Sequence, residues 1–133
     1  VRKSLLDRID GIDENDEMVA AEDYNTWLRI AQLTDQFLYL PKNLGYYLIH
    51  NHSSSQKDMS LPGRCAVEQF VPLLSAPQKL ELETNFRYSA GRFNYLMGFY
   101  TESKLDLLFC VRHGKISTRM KSFIVLCLQA FRK

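Results

Sequence analysis

No Cys-x-x-Cys pair, no apolar run long enough to cross a bilayer and no Asp-x-Asp closing an apolar strand occurs in these 133 residues. The three cysteines, Cys65, Cys110 and Cys127, are odd in number and widely spaced. That pattern does not suggest a disulfide framework and gives no support to a zinc site. Two of them fall in apolar helical stretches, so they read as buried, reduced thiols in a cytosolic setting. The longest strongly apolar stretch, Phe123 to Leu128, is far short of the roughly 20 residues that a spanning helix needs. The chain opens Val1-Arg2-Lys3-Ser4 with neither an initiator Met nor an apolar leader, the pattern expected of a chain cut from something longer.

What is there is ordinary in bulk and uneven in detail. Hydrophobic residues at 46% and charged residues at 24% make a soluble globular composition with enough apolar surface for a core. Residues 1–58 carry six basic and ten acidic side chains, whereas residues 59–133 carry eleven basic and five acidic. After residue 103, seven Lys and Arg face only Asp106. No recognition motif or interleaved aromatic set accompanies that charge, which argues against nucleic acid as a partner. An anionic membrane surface fits it better.

Helical periodicity dominates. Residues 2–9 form a short helix, with Leu5, Leu6 and Ile9 on one face and Gly11 as its stop. Tyr24, Trp27, Leu28 and Ala31 mark the buried face of a helix over 22–34. Phe37 to Leu40 and Gly45 to Ile49 read as two short strands joined by Pro41-Lys42-Asn43. Asn51 to Ser60 is a polar loop. Helices then follow over Cys65 to Leu74, from Pro77 to about Gly98, over 102–112, and from Ser117 to the end. In the last of these, Met120, Ile124, Cys127 and Phe131 give an apolar face expected to pack on the preceding helix pair. Its Arg119, Lys121, Arg132 and Lys133 are expected to be drawn to an anionic membrane.

The first 58 residues are more specific. In order they offer Gly11-Ile12-Asp13-Glu14, then Ala21-Glu22-Asp23-Tyr24-Asn25-Thr26-Trp27-Leu28-Arg29, Tyr39-Leu40-Pro41 and Tyr46-Tyr47-Leu48-Ile49-His50, with Ser53 and Ser55 behind. This resembles the acceptor-side, C-terminal part of the GT-A catalytic domain in family 2 glycosyltransferases. There a Glu-Asp pair opens a helix with Trp four residues on, a Tyr-Leu-Pro strand follows, and a Tyr-Arg-x-His-x-x-Ser-x-Ser stretch closes the site. The order and spacing of the pieces carry the likeness, and no single piece does.

The resemblance implies an inverting transfer from a nucleotide sugar, with Asp23 as the catalytic base. Chemically, a carboxylate must take the proton of the acceptor hydroxyl as that oxygen attacks the anomeric carbon. Glu22 and Trp27 are implied on the acceptor side, Glu22 by hydrogen bonding and Trp27 by packing the helix that presents Asp23. His50 matches the family histidine near the diphosphate and its metal, Mn²⁺ or Mg²⁺. Leu48 stands where Arg is common, so one diphosphate contact is missing. The Asp-x-Asp that holds the metal belongs to the nucleotide-binding half and is absent here, so this chain alone is expected to retain neither metal nor donor.

The expected fold is therefore mainly α with a short two-stranded β element, residues 1–58 being the acceptor-side portion of a GT-A domain and residues 59–133 a helical extension. The expected function is a fragment of a glycosyltransferase of surface polysaccharide or glycolipid synthesis, acting on a glycan or lipid-linked acceptor. Its expected place is the cytoplasm, peripheral at the inner face of the cell membrane. A surface left bare by the missing half would favour self-association. The alternative reading is a non-catalytic helical protein-interaction module.

Overall fold

The computed structural model describes residues 1–46 and 57–131. Among them six α-helices follow one another: α1 (Lys3–Arg8), α2 (Glu22–Ala31), α3 (Ser60–Val67), α4 (Ala76–Met97), α5 (Tyr100–His113) and α6 (Ile116–Ala130). A 3-10 turn at Asp16–Met18 precedes α2, and another at Glu68–Leu73 follows α3. Pro72 lies in the second of these. It has no N–H to give a helical ladder, which helps explain why α3 ends at Val67 rather than running on to Leu74.

No strand or sheet occurs among the described residues. The expected two-stranded element, and with it the GT-A portion over residues 1–58, is corrected to a fold whose regular elements among the described residues are all helical. Residues 37–46 form no regular element and carry only two local closures. Phe37 N–H donates to the Asp35 carbonyl at 2.9 Å and Lys42 N–H to the Leu40 carbonyl at 2.8 Å. Both closures skip one residue, as in γ-turns. A strand pair needs a surface to pack on, since a lone hairpin is marginal in water. Leu38 and Tyr39 find none, being 84% and 85% exposed. The remainder of the second expected strand, with Tyr47, Leu48 and Ile49, lies outside the described residues, as do Arg132 and Lys133.

The C-terminal helices are fixed by their ends and by small residues where they touch. Ser75 N–H and Ser75 Oγ–H both donate to Gln78 Oε1, at 2.9 and 2.7 Å, and Pro77 follows in the first turn of α4. Gly98 ends α4 in the left-handed region at φ 86°, where glycine carries no steric penalty. Between α4 and α5 the contact is close. Ser103 Oγ–H donates to the Gly91 carbonyl at 2.8 Å, and Cys110 Sγ–H to the Thr84 carbonyl at 3.2 Å. Leu107 lies fully buried between them. Burial also raises the Cys110 thiol pKa above its ordinary value. All three cysteines are free; Cys65 and Cys127 are only half-buried.

Helix α6 departs from expectation. Its fully buried residue is Ser122, with Thr118, Val125 and Leu126 half-buried beside it. Met120, Ile124 and Phe131 are exposed. The apolar face that periodicity assigned to packing is turned away from α4 and α5, because a serine at the crossing lets α6 approach more closely than a Met or Phe would. No helix among the described residues is long and apolar enough to cross a membrane.

The N-terminal elements join this array through a small core. Met18 and Ala21 pack on Ala66 of α3, with Met59 and Cys65 against them. On the outside of α3–α5 runs an ion-pair chain: Arg64 to Glu83 at 2.7 Å, Glu83 to Arg87 at 2.6 Å, Arg87 to Asp106 at 3.5 Å. Arg64 also lies over the Phe86 ring and Arg87 over the Phe109 ring.

The hydrogen bond from Arg64, with that from Arg87, holds the Glu83 carboxyl below its usual pKa, while burial pushes Asp106 up. A lowered folded-state pKa means stability that is present above the ordinary glutamate range and lost as pH falls through the lowered value. Glu83→Gln should therefore cost about 1–2 kcal/mol at neutral pH, the scale of a partly buried charge-assisted network. Urea unfolding of both proteins should show the difference shrinking as pH falls from neutral to below the ordinary glutamate pKa of about 4.3. The Asp106 shift has the opposite sign and is largely common to both proteins. An equal difference at both pH values would refute the assignment.

Candidate functional site

The start of α2 is built by the chain before it. Asn15 Oδ1 accepts Glu17 N–H at 3.0 Å, opening the 3-10 turn, and Ala21 N–H closes on the Met18 carbonyl at 2.7 Å. Ala20 is left at φ 71°, a conformation costing a non-glycine residue about 1–2 kcal/mol. It directs the chain into α2 with Ala21 at the cap, which has no side-chain oxygen to offer. Asp23 takes that role: its Oδ1 accepts Tyr24 N–H at 2.6 Å. Glu22 and Asp23 together place negative charge at the positive end of the helix.

Asn25 anchors this end. Its Nδ2 donates to the Ala66 carbonyl at 2.7 Å, and the residue is 1% exposed. Thr26 Oγ1–H donates back to the Glu22 carbonyl at 2.7 Å, and Arg29 Nη1 donates to the Gly11 carbonyl at 3.2 Å. The buried positions of α2 are thus Asn25, Thr26 and Ile30, not the apolar set that periodicity selected. Tyr24 and Trp27 are exposed, at 49% and 47%. Trp27 does not pack α2 into the core. The small side chains Ala21 and Asn25 admit α3, and an amide was needed to meet the Ala66 carbonyl.

Asp23 and Trp27, four residues apart, share a face of α2 with Tyr24 at its edge. No second hydrogen bond or ion pair engages the Asp23 carboxylate among the described residues. Trp27 also borders an open cleft of about 820 Å³ with Arg2, Arg8, Thr34, Gln36 and Phe37. Glu22 faces elsewhere, onto a hollow of about 200 Å³ beside Asp13, Glu14 and Asn15. Its Oε2 is buried without a hydrogen-bond partner among the described residues. Glu22 and Trp27 therefore border different depressions and do not form one acceptor pocket between them.

His50, with His52, Ser53 and Ser55, lies outside the described residues. Among the described residues no three His, Cys, Asp or Glu side chains converge on a point where a metal ion could be held. These residues therefore do not fit a divalent-ion site by themselves. What the start of α2 can do chemically is narrower: accept a hydrogen bond or a proton at an exposed carboxylate on an anchored helix, on the face that it shares with Trp27. Sequence reasoning missed Asn25 as the anchor; the buried Ala21–Asn25 spacing, one helical turn, was its only signal. In comparison with known proteins, no family model, curated protein or solved structure matches the chain.

Proposed function

We propose that this chain is the acceptor-side part of an inverting nucleotide-sugar glycosyltransferase of the family 2 kind, working in surface polysaccharide or glycolipid synthesis. The observation that carries the reading is the Asp23 carboxylate, fixed in the first turn of α2 and open to solvent beside Tyr24 and Trp27. Asp23 takes the proton of the acceptor hydroxyl while that oxygen bonds to the anomeric carbon and the nucleoside diphosphate leaves. Anchoring by Asn25 keeps the base in place, so that little motion is frozen out on the way to reaction. Aromatic faces suit the C–H surface of a sugar ring, and a carboxylate suits its hydroxyls. The divalent ion and most donor contacts belong, in this reading, to a separate nucleotide-binding half. The ion would supply charge neutralisation at the departing diphosphate.

Trp27 is the sole tryptophan, so its fluorescence reports on this face directly. Titration with a pool of α- and β-linked di- and trisaccharides should give a saturable change. Nucleotide sugars alone should give none. Asp23→Asn should weaken the saccharide response without abolishing it. A flat response to every saccharide would count against the acceptor reading. It would also favour the alternative, a non-catalytic helical interaction module, which draws its support from the exposed Leu38, Tyr39, Leu44 and Tyr46.

A further inference from the structure

Helices α4 to α6 are built with small or polar residues inside and large apolar residues outside. Thr84, Ser103, Cys110 and Ser122 are buried at the crossings, with Leu107 as the sole large buried side chain among the described residues of these helices. On α6 the residues Ile116, Met120, Phe123, Ile124 and Leu128, with Phe131 at its C-terminal cap, are between 51% and 88% exposed. At about 100° per residue these six fall on one continuous stripe, opposite the face that carries Ser122. A stripe that neither turns inward nor scatters over the surface marks a contact with something apolar.

The charge around the stripe says what that contact is. Arg119 and Lys121 lie at its two edges, each about 100° from its middle on the same helical wheel. Neither is ion-paired among the described residues. Helix α6 contains no acidic residue. The acids of the neighbouring helices are mostly engaged: Glu81 by Lys115, Glu83 by Arg64 and Arg87, Asp106 by Arg87, which leaves Glu102. Basic residues flanking an apolar stripe can bury their stems and keep their charges at the headgroups. The 15 residues of α6 span about 22 Å, which suits a helix lying along a bilayer surface rather than across it.

We propose that α6 is an interfacial membrane anchor, seating its Ile116–Phe131 stripe in the headgroup–acyl boundary of an anionic phospholipid bilayer. Arg119 and Lys121 select the negative surface. This inference stands on the charge and exposure of α6 and does not rest on the transferase reading of α2. A protein surface or a second copy of the chain would also cover an apolar stripe. A second copy packed through the same stripe would bring like charges together with no acid to meet them, and an acidic protein surface is the occupant left if no vesicle is bound.

Co-sedimentation with vesicles tests it, using phosphatidylcholine alone and an equimolar mixture with phosphatidylglycerol, the oligomeric state being followed by sedimentation equilibrium. The chain should pellet with the mixed vesicles and stay in solution with the neutral ones. Raising salt to about 0.5 M should release it. Arg119→Gln with Lys121→Gln should lower the partition coefficient roughly 25-fold, about fivefold per charge. Phe123→Ser with Ile124→Ser should abolish binding while leaving the helical dichroism intact, because both residues point away from the other helices. Equal recovery with the two vesicle types, or with neither, overturns the proposal. So does a dimer that Phe123→Ser dissolves in a chain that binds no vesicle.

Discussion

In the proposed transferase, with a nucleotide-binding half supplied, Asp23→Asn is expected to cut glycosyl transfer by about 10²–10⁴-fold, the scale of losing a general base. Donor affinity should stay near wild type, because the side chain keeps its size and most donor contacts lie elsewhere. The amide oxygen can still accept Tyr24 N–H, so the start of α2 survives the change. Loss of the negative charge at the helix terminus costs about 0.3–1 kcal/mol of stability, too little to unfold a domain. The effect should therefore appear in turnover and not in melting temperature or donor binding. Glu22→Gln is the control. Glu22 borders a different hollow from Trp27, so its loss should leave turnover within about tenfold, the effect of positioning without proton transfer. Near-wild-type transfer by Asp23→Asn would make the two acids a helix-terminus feature and nothing more.

Helices α4 and α5 were legible because periodicity and punctuation agree there, whereas the helix expected over Cys65 to Leu74 lies instead at Ser60–Val67. Pro77 and Gly98 bracket α4, and Gly114 follows α5. Legibility stopped where burial is decided by what approaches from another element. For α2, the pattern singled out Trp27 as core, yet Ala66 comes down on Ala21 and Asn25, whose short side chains leave room. For α6, an amphipathic pattern shows that two faces differ without showing which one meets protein. The serine at position 122 sits on the inward face because close helix contact favours a small residue, while the Met and Phe residues stay out.

The first expected strand failed for a related reason. Phe37 to Leu40 has the residues of a strand, and β-propensity measures fit to a half-buried pleated surface. With no sheet to supply that surface, the same residues fold into local turns and stay exposed. The candidate site was half legible. The Glu-Asp pair at a helix start could be read directly, but the role of Asn25 depends on a contact 41 residues apart in sequence.

The contact between α4 and α5 should give the largest stability effects. Leu107→Ala is expected to lower the unfolding free energy by about 2–5 kcal/mol, since a fully buried leucine leaves a cavity that rigid helices close only in part. Gly91 is its opposite number. A Cβ built at Gly91 would lie 3.0 Å from Leu107 Cγ, 3.2 Å from Leu107 Cδ2 and 3.1 Å from Asp106 Cβ. Gly91→Ala gains about 1 kcal/mol of helix propensity but loses about 1–3 kcal/mol to overpacking, so its net effect is mildly destabilising. The pair must then be non-additive. In a Leu107→Ala background two of the three close contacts vanish, and the new methyl group fills part of the cavity. Gly91→Ala should become stabilising there, with a coupling of about 1–3 kcal/mol between the two sites. Urea unfolding of the four proteins in this cycle measures it. Additive effects would mean that α4 and α5 do not meet at these residues, and the packing described for them would have to be abandoned.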